Sequence, residues 1–158
     1  MVVADTLSRY SPEDTSEILL DISVNHVYIN SEKKRDYQLA IQDDPLLRAL
    51  ADIIIAGWPE DIEDVPKALR PYHGQRDSLT VEDGLILRGE AIIVPPGERK
   101  KVLEQIHQGH LGISKCQHRA RQCVYWPGIN KYIERIVEAC PTCQRHRSQE
   151  PRQPLKPT

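Results

Sequence analysis

The chain has no phenylalanine, a single methionine and only two tryptophans, so the bulky side chains that fill a large core are scarce. Twelve prolines break it further. A large core that holds without help is therefore not expected. No stretch approaches the roughly 18 consecutive apolar residues of a membrane span, which leaves no membrane partner in the reading. The opening MVVADTLSRY has neither the basic start nor the apolar run of a secretory signal. The chain reads as soluble and intracellular. Four cysteines without such a signal point to reduced thiols or a bound metal rather than a disulfide framework.

The formal charge of −2 hides a sharp segregation. Residues 1–98 hold 9 Lys+Arg against 19 Asp+Glu, net −10, and residues 99–158 hold 12 against 4, net +8. All four cysteines lie in the basic part. A polyanion such as nucleic acid is one reading of that asymmetry; a solvated basic surface is the other.

Residues 1–34 show no sustained period and read as a linker or the remnant of a preceding domain, largely disordered. The first firm element is DDPLLRALADIIIAGWP. Asp44 suits a helix N-cap, Pro45 the first helical position, and Gly57 the stop. Pro66–Leu69 is expected to form another short helix. In SLTVEDGLILRGEAIIVPP the period changes: three β-prone runs are separated by the turn signals Asp83-Gly84 and Gly89-Glu90, which predicts a small antiparallel sheet of two or three strands. Helices follow over Glu98–Gln108, from a Ser114 cap with Gln117 in capping-box position to about Cys123, and over Gly128–Cys140 with a continuous apolar stripe. The tail after Cys143 is basic and proline-rich, and reads as flexible.

Two close pairs of metal-ligand residues flank this helical segment. His107 and His110 stand two residues apart at a helix end, where Gly109 could take the left-handed conformation that turns His110 back. Cys140 and Cys143 form CPTC. Structural zinc takes four such donors tetrahedrally, as two pairs that the fold brings together. An alternative leaves Cys140 in the apolar stripe and the histidines on the surface, and a redox role for CPTC lacks a thioredoxin-like βαβ context. Cys116 and Cys123 share a helix face as ordinary buried thiols, with His118 beside them exposed; a ligand set of Cys116, His118 and Cys123 has no supporting pair spacing. His26 and His73 have no ligand partners nearby in sequence, and His146 falls in the tail. Energetics favour the metal: a core of this size rarely exceeds about 3–5 kcal/mol, whereas zinc binding contributes roughly 10–16 kcal/mol in small modules.

The run HQGHLGISKCQHRARQCVYWPGINKYIERIVEACPTCQ resembles the zinc-binding N-terminal domain of integrases from gypsy-class long-terminal-repeat retrotransposons. GWP, LRPY, DGLILRG and VPPGERKKVLEQIH look like the extension that precedes that domain, and VVADTLSR looks like the end of a ribonuclease H, with Asp5 as its aspartate. Cys116 and Tyr132 depart from the family pattern, where threonine and an acidic residue are common. The resemblance implies an α+β chain: residues 1–34 a ribonuclease H remnant and linker, 35–97 an extension of helices and a small sheet, 98–144 a three-helix HHCC module, and 145–158 a flexible basic linker. It implies one structural Zn2+ on His107, His110, Cys140 and Cys143. The implied partners are the element's DNA ends and other integrase subunits.

Strand transfer needs an Asp-Asp-Glu triad that gathers two metal ions. In the family resembled the triad lies in a core that follows the zinc domain, and this chain holds neither that core nor, with Asp5 alone, a complete ribonuclease H site, so no enzymatic activity is expected of it. The expected function is a nucleic-acid-binding and assembly module, nuclear when acting on DNA and otherwise cytoplasmic. Lys115, Arg119, Arg121, Lys131 and Arg135 are the expected phosphate contacts, and Trp126 is expected as a core plug rather than a base-stacking residue. The alternative is a protein-interaction adaptor, host-domesticated or acting within the polyprotein, which the acidic half favours.

Overall fold

The computed structural model describes the backbone of residues 21–23 and 26–28 and the whole of residues 31–146. The ribonuclease H reading around Asp5 and the tail from 147 onward lie outside the described residues. Two short strands, β1 (Asp21–Ser23) and β2 (His26–Tyr28), pair antiparallel. Helix α1 (Ser31–Asp43) begins inside the stretch read as linker. Its inward residues Lys33, Tyr37 and Ile41 are spaced four apart. One of them is a lysine, so the face does not read as apolar. Lys33 is 3% exposed, lies 5.2 Å from the Tyr37 ring centre, and forms an ion pair with Glu98 sixty-five positions along the chain.

Helix α2 (Pro45–Ala56) follows the local signals closely. The Asp44 carboxylate accepts from the Leu46 and Leu47 amides at 2.8 and 3.0 Å, and Pro45 occupies the first turn. Gly57 ends the helix at φ 99°, a conformation that only glycine adopts without strain. The short helix expected over Pro66–Leu69 instead forms one turn later, as α3 (Arg70–His73). Its Pro71 sits in the first turn, where the missing amide has no helical partner to lose, while the Leu69 and Arg70 amides close a turn on the Pro66 carbonyl.

Strands β3 (Leu79–Glu82), β4 (Leu85–Arg88) and β5 (Ala91–Ile93) form the expected antiparallel meander. Asp83 and Gly84 both take positive φ at the first turn, as a two-residue hairpin requires. A fourth strand was not foreseen. Strand β6 (Val124–Tyr125) pairs parallel to β5, with Ile92 opposite Val124 and Ile93 opposite Tyr125, and the Val94 amide donates to the Tyr125 carbonyl at 3.2 Å. A parallel neighbour needs a long crossover, and helices α4 (Arg99–His107) and α5 (Ile113–Cys123) supply it.

Ser114 does not cap α5. Gly112 stands at the cap position and makes no side-chain bond, and Ile113, packed on the core, is drawn into the helix ahead of Ser114. Helices α6 (Ile129–Ala139) and α7 (Pro141–Arg145) complete the chain described. The fold is α+β. One hydrophobic core runs from Tyr37 and Leu47 through Ile86 and Ile93 to Ile106, Trp126 and Ile133, so residues on both sides of position 98 share one sheet and one core.

Candidate metal centre

The four residues singled out as ligands converge. His107 ends α4, His110 lies in the turn that follows, Cys140 separates α6 from α7, and Cys143 lies within α7. One donor atom from each falls within 4.8 Å of the other three. Cys140 Sγ is 3.3 Å from His110 Nδ1, and Cys143 Sγ is 3.5 Å from His107 Nε2 and 3.8 Å from His110 Nδ1. Zinc bonds of about 2.3 Å to sulfur and 2.0–2.1 Å to nitrogen, at tetrahedral angles, place sulfur and nitrogen about 3.6 Å apart. These three separations bracket that value, so the donor set suits zinc in both spacing and chemistry. With all four positions filled by protein, none is left for water or substrate, and such a site is structural.

Local backbone explains how two residues two apart can both point inward. The His110 amide donates to the His107 carbonyl at 2.8 Å. The left-handed residue of this turn is His110 itself, at φ 48°, and not Gly109 as the sequence led one to expect. Histidine tolerates this region better than most residues, and strain of about 1–3 kcal/mol at a ligand persists where surrounding contacts fix it. A side chain at Gly109 would meet Leu111 only at ordinary contact distance, so nothing there demands glycine.

Sequence reasoning also missed the part played by Cys116. Its fully buried thiol donates to the Leu111 carbonyl at 3.2 Å, tying α5 to the segment that carries His110. Burial pushes this thiol upward, as it does Cys123, with Arg119 opposing in both. Both therefore stay protonated, as inert core cysteines should. The ligand thiols behave differently. Hydrogen bonding to the His107 imidazole, followed by the backbone N–H of Cys143, lowers Cys140 to about 6. Cys143 is raised by desolvation and then by its hydrogen bond and charge interaction with Cys140. The two ligand thiols are thus shifted in opposite directions.

None of the other described histidines joins the four donors. His73 is buried edge-on to Trp58, with ring centres 5.7 Å apart. His118 is exposed, 3.3 Å from the Gln122 amide. His146, read as part of the tail, lines a cleft beside the centre with His110, Gly112, Ile113, Val137 and Cys143. The side chain of His26 lies outside the described residues.

The five residues expected to meet phosphate lie on α5 and α6, which pack together through a Gln117–Glu134 hydrogen bond of 3.1 Å. They do not share one face. At about 100° per residue, Lys115 and Arg119 fall on one flank of α5 and Arg121 on the other. Lys115, Arg121, Lys131 and Arg135 are exposed, and Arg119 is half-buried. Arg135 lies 6.0 Å from the centre of the Tyr132 ring. Trp126 is fully buried, as a core plug should be, with the Arg99 guanidinium 5.5 Å from its ring centre and Tyr132 6.5 Å away.

Among known proteins, residues 94–149 match the family described as integrase zinc binding domain. An uncharacterised Caenorhabditis elegans protein, K02A2.6, is 38% identical over 82 residues, which is 52% of this chain and 6% of that protein. The Tf2-3 and Tf2-4 transposon polyproteins of Schizosaccharomyces pombe are each 24% identical over 165 residues, covering 98% of this chain and 11% of their own length. The chain therefore spans only a small part of these relatives. Residues 94–149, which contain all four converging donors, thus match the integrase zinc binding domain within a chain similar over nearly its whole length to retrotransposon polyproteins, and zinc is the metal such a domain takes.

Proposed function

We propose that the chain is the zinc-stabilised nucleic-acid-binding and assembly module of a retrotransposon integrase, of the gypsy class, acting in DNA integration and without catalytic activity of its own. His107, His110, Cys140 and Cys143 hold the ion. The observation that carries this reading is the convergence of those donors at spacings that suit zinc, in a segment matched to the integrase zinc binding domain.

Zinc here acts as a staple. It joins the end of α4 to the start of α7, and so fixes α5 and α6 relative to the sheet. Lys115, Arg119, Arg121, Lys131 and Arg135 then meet the phosphates of the element's DNA ends, and the module joins other integrase subunits in the nucleus.

A second reading, the protein-interaction adaptor, draws support from α2 and the loop after it. Ile55 is 72% and Ile62 47% exposed, close in sequence to Asp52, Glu60, Asp61, Glu63 and Asp64. A gel shift of the zinc-loaded chain with long-terminal-repeat DNA separates the two. Phosphate contacts predict binding that falls steeply with salt, and Arg119→Glu with Arg121→Glu should weaken it while zinc content stays stoichiometric. Zinc-loaded protein that ignores DNA even at low salt would promote the adaptor reading.

A further inference from the structure

Tyr132 is one of four large apolar side chains that stand exposed among the described residues, at 44%, and the one of them on the basic side of the molecule. The others, Leu39, Ile55 and Ile62, belong to the acidic half. An exposed aromatic needs no explanation by itself. Its setting, however, is specific. Lys131 precedes it and Arg135 follows one turn on, with the Arg135 guanidinium 6.0 Å from the ring centre. On its inner side the ring lies 6.5 Å from Trp126, which Arg99 of α4 also contacts from 5.5 Å. One turn earlier stands Gly128, where an added Cβ would lie 3.9 Å from the ring edge, so that residue puts no side chain over it. Glu134, the nearest acid along α6, is turned away and engaged by Gln117 of α5.

Such an arrangement is an exposed aromatic ring braced by Trp126, with the Arg135 guanidinium beside it and Lys131 next to it in sequence. Duplex DNA offers phosphates but no open base face to such a ring. An unpaired nucleotide offers both, and stacking on an aromatic surface tolerates any base because each has a π-face. Resting on the nucleic-acid reading given above, we propose that Tyr132 stacks on an unpaired base, with Lys131 and Arg135 on the flanking phosphates, so that the module prefers frayed or overhanging DNA ends to closed duplex.

The test uses the full zinc-loaded chain and two fluorescent DNAs of the same sequence, one blunt and one with a short single-stranded overhang carrying 2-aminopurine. The wild-type chain should bind the overhang more tightly and quench the 2-aminopurine. Tyr132→Ala should lose roughly 5- to 150-fold on the overhang, the span that loss of one stacked base covers, and little on the blunt duplex. Tyr132→Trp should keep the preference, and Tyr132→Leu, similar in apolar bulk, should not. Zinc content should stay stoichiometric, since Tyr132 is not among the donors, and Tyr132→Trp should keep the packing against Trp126 and with it the thermal stability. Equal affinity of the wild-type chain for both DNAs, or equal loss on both in Tyr132→Ala, overturns the proposal while leaving the nucleic-acid reading in place. Loss of self-association in Tyr132→Ala with unaltered binding to both DNAs makes the residue a subunit contact and overturns it as well. Absence of binding to either DNA removes the nucleic-acid reading itself, and this proposal with it.

Discussion

Replacing Trp126 by alanine tests whether this residue is a structural plug or a nucleic-acid contact. The indole is fully buried between the short strand β6 and helix α6, and the Ile129 amide closes a turn on the Trp126 carbonyl at 3.2 Å. Its Nε1 has no hydrogen-bond partner among the described residues, so truncation forfeits packing and not a polar contact. Arg99 loses the ring beneath its guanidinium but keeps its bond to the Val94 carbonyl at 3.2 Å. Core tryptophan-to-alanine changes cost about 3–5 kcal/mol, a large share of the roughly 5–15 kcal/mol by which a domain is stable. Guanidinium unfolding at a fixed, saturating zinc concentration measures it, since zinc bound only to the folded chain adds a constant contribution. The midpoint should fall by roughly 1–2 M, for slopes of about 2–4 kcal/mol per molar. Trp126→Phe should lose less. A loss under about 1 kcal/mol, coupled to a tenfold or larger drop in affinity for DNA with a single-stranded overhang, would refute the plug and make Trp126 an accessible stacking residue.

Other expectations follow from the metal centre and its frame. Cys140→Ser and His110→Ala should each abolish stoichiometric zinc in elemental analysis, whereas Cys123→Ser, altering a buried thiol outside the donor set, should retain it. X-ray absorption should report two nitrogen and two sulfur ligands; four sulfurs would overturn the assignment. The lowered value of Cys140, about 6, means that its thiolate favours the metal-free fold fully above the ordinary thiol range and that this contribution fades as pH falls through about 6. Zinc uptake near pH 7.5 should accordingly release about one proton, chiefly from the raised Cys143, readable by calorimetry in buffers of differing ionisation enthalpy; release of two would show that Cys140 is not poised. Chelation should disturb the amides of Val124 and Tyr125 and of their partners Ile92 and Ile93, while the turn at Asp83-Gly84 changes least in an NMR spectrum. A sheet wholly indifferent to chelation would show that β6 pairs without help from the metal.

Local features were legible in the sequence, and distant partnerships were not. The donor quartet could be read because zinc demands particular residue types in close pairs, and α2 because Asp44, Pro45 and Gly57 each act on backbone within a turn of themselves. Helix α1 escaped notice because its buried stripe includes Lys33, whose charge reads as solvent-facing until Glu98 is known to meet it. Strand β6 is two residues long, too short to show a period, and its partner lies about thirty positions earlier. The left-handed residue after α4 was assigned to Gly109 by propensity. The structure gives that conformation to His110, because it is the histidine that has to turn back towards the other donors. The five cations could be named as candidate phosphate contacts, but the half-burial of Arg119 depends on how α5 packs.

The parallel pairing of β5 with β6 has a consequence for any attempt to divide the chain. In the intact protein Ala91, Ile92 and Ile93 are all buried, and β5 carries no charge along its length. Cutting before Arg99 would strip away the strand beside it and leave a bare, apolar sheet edge with unpaired amides and carbonyls, the form of surface that recruits strands from other molecules. The acidic half, rich in carboxylates elsewhere, would then owe its solubility to charge repulsion alone. If the crossover through α4 and α5 loosens without zinc, the same edge is uncovered in the whole chain, and metal depletion would be seen first as aggregation rather than as lost binding.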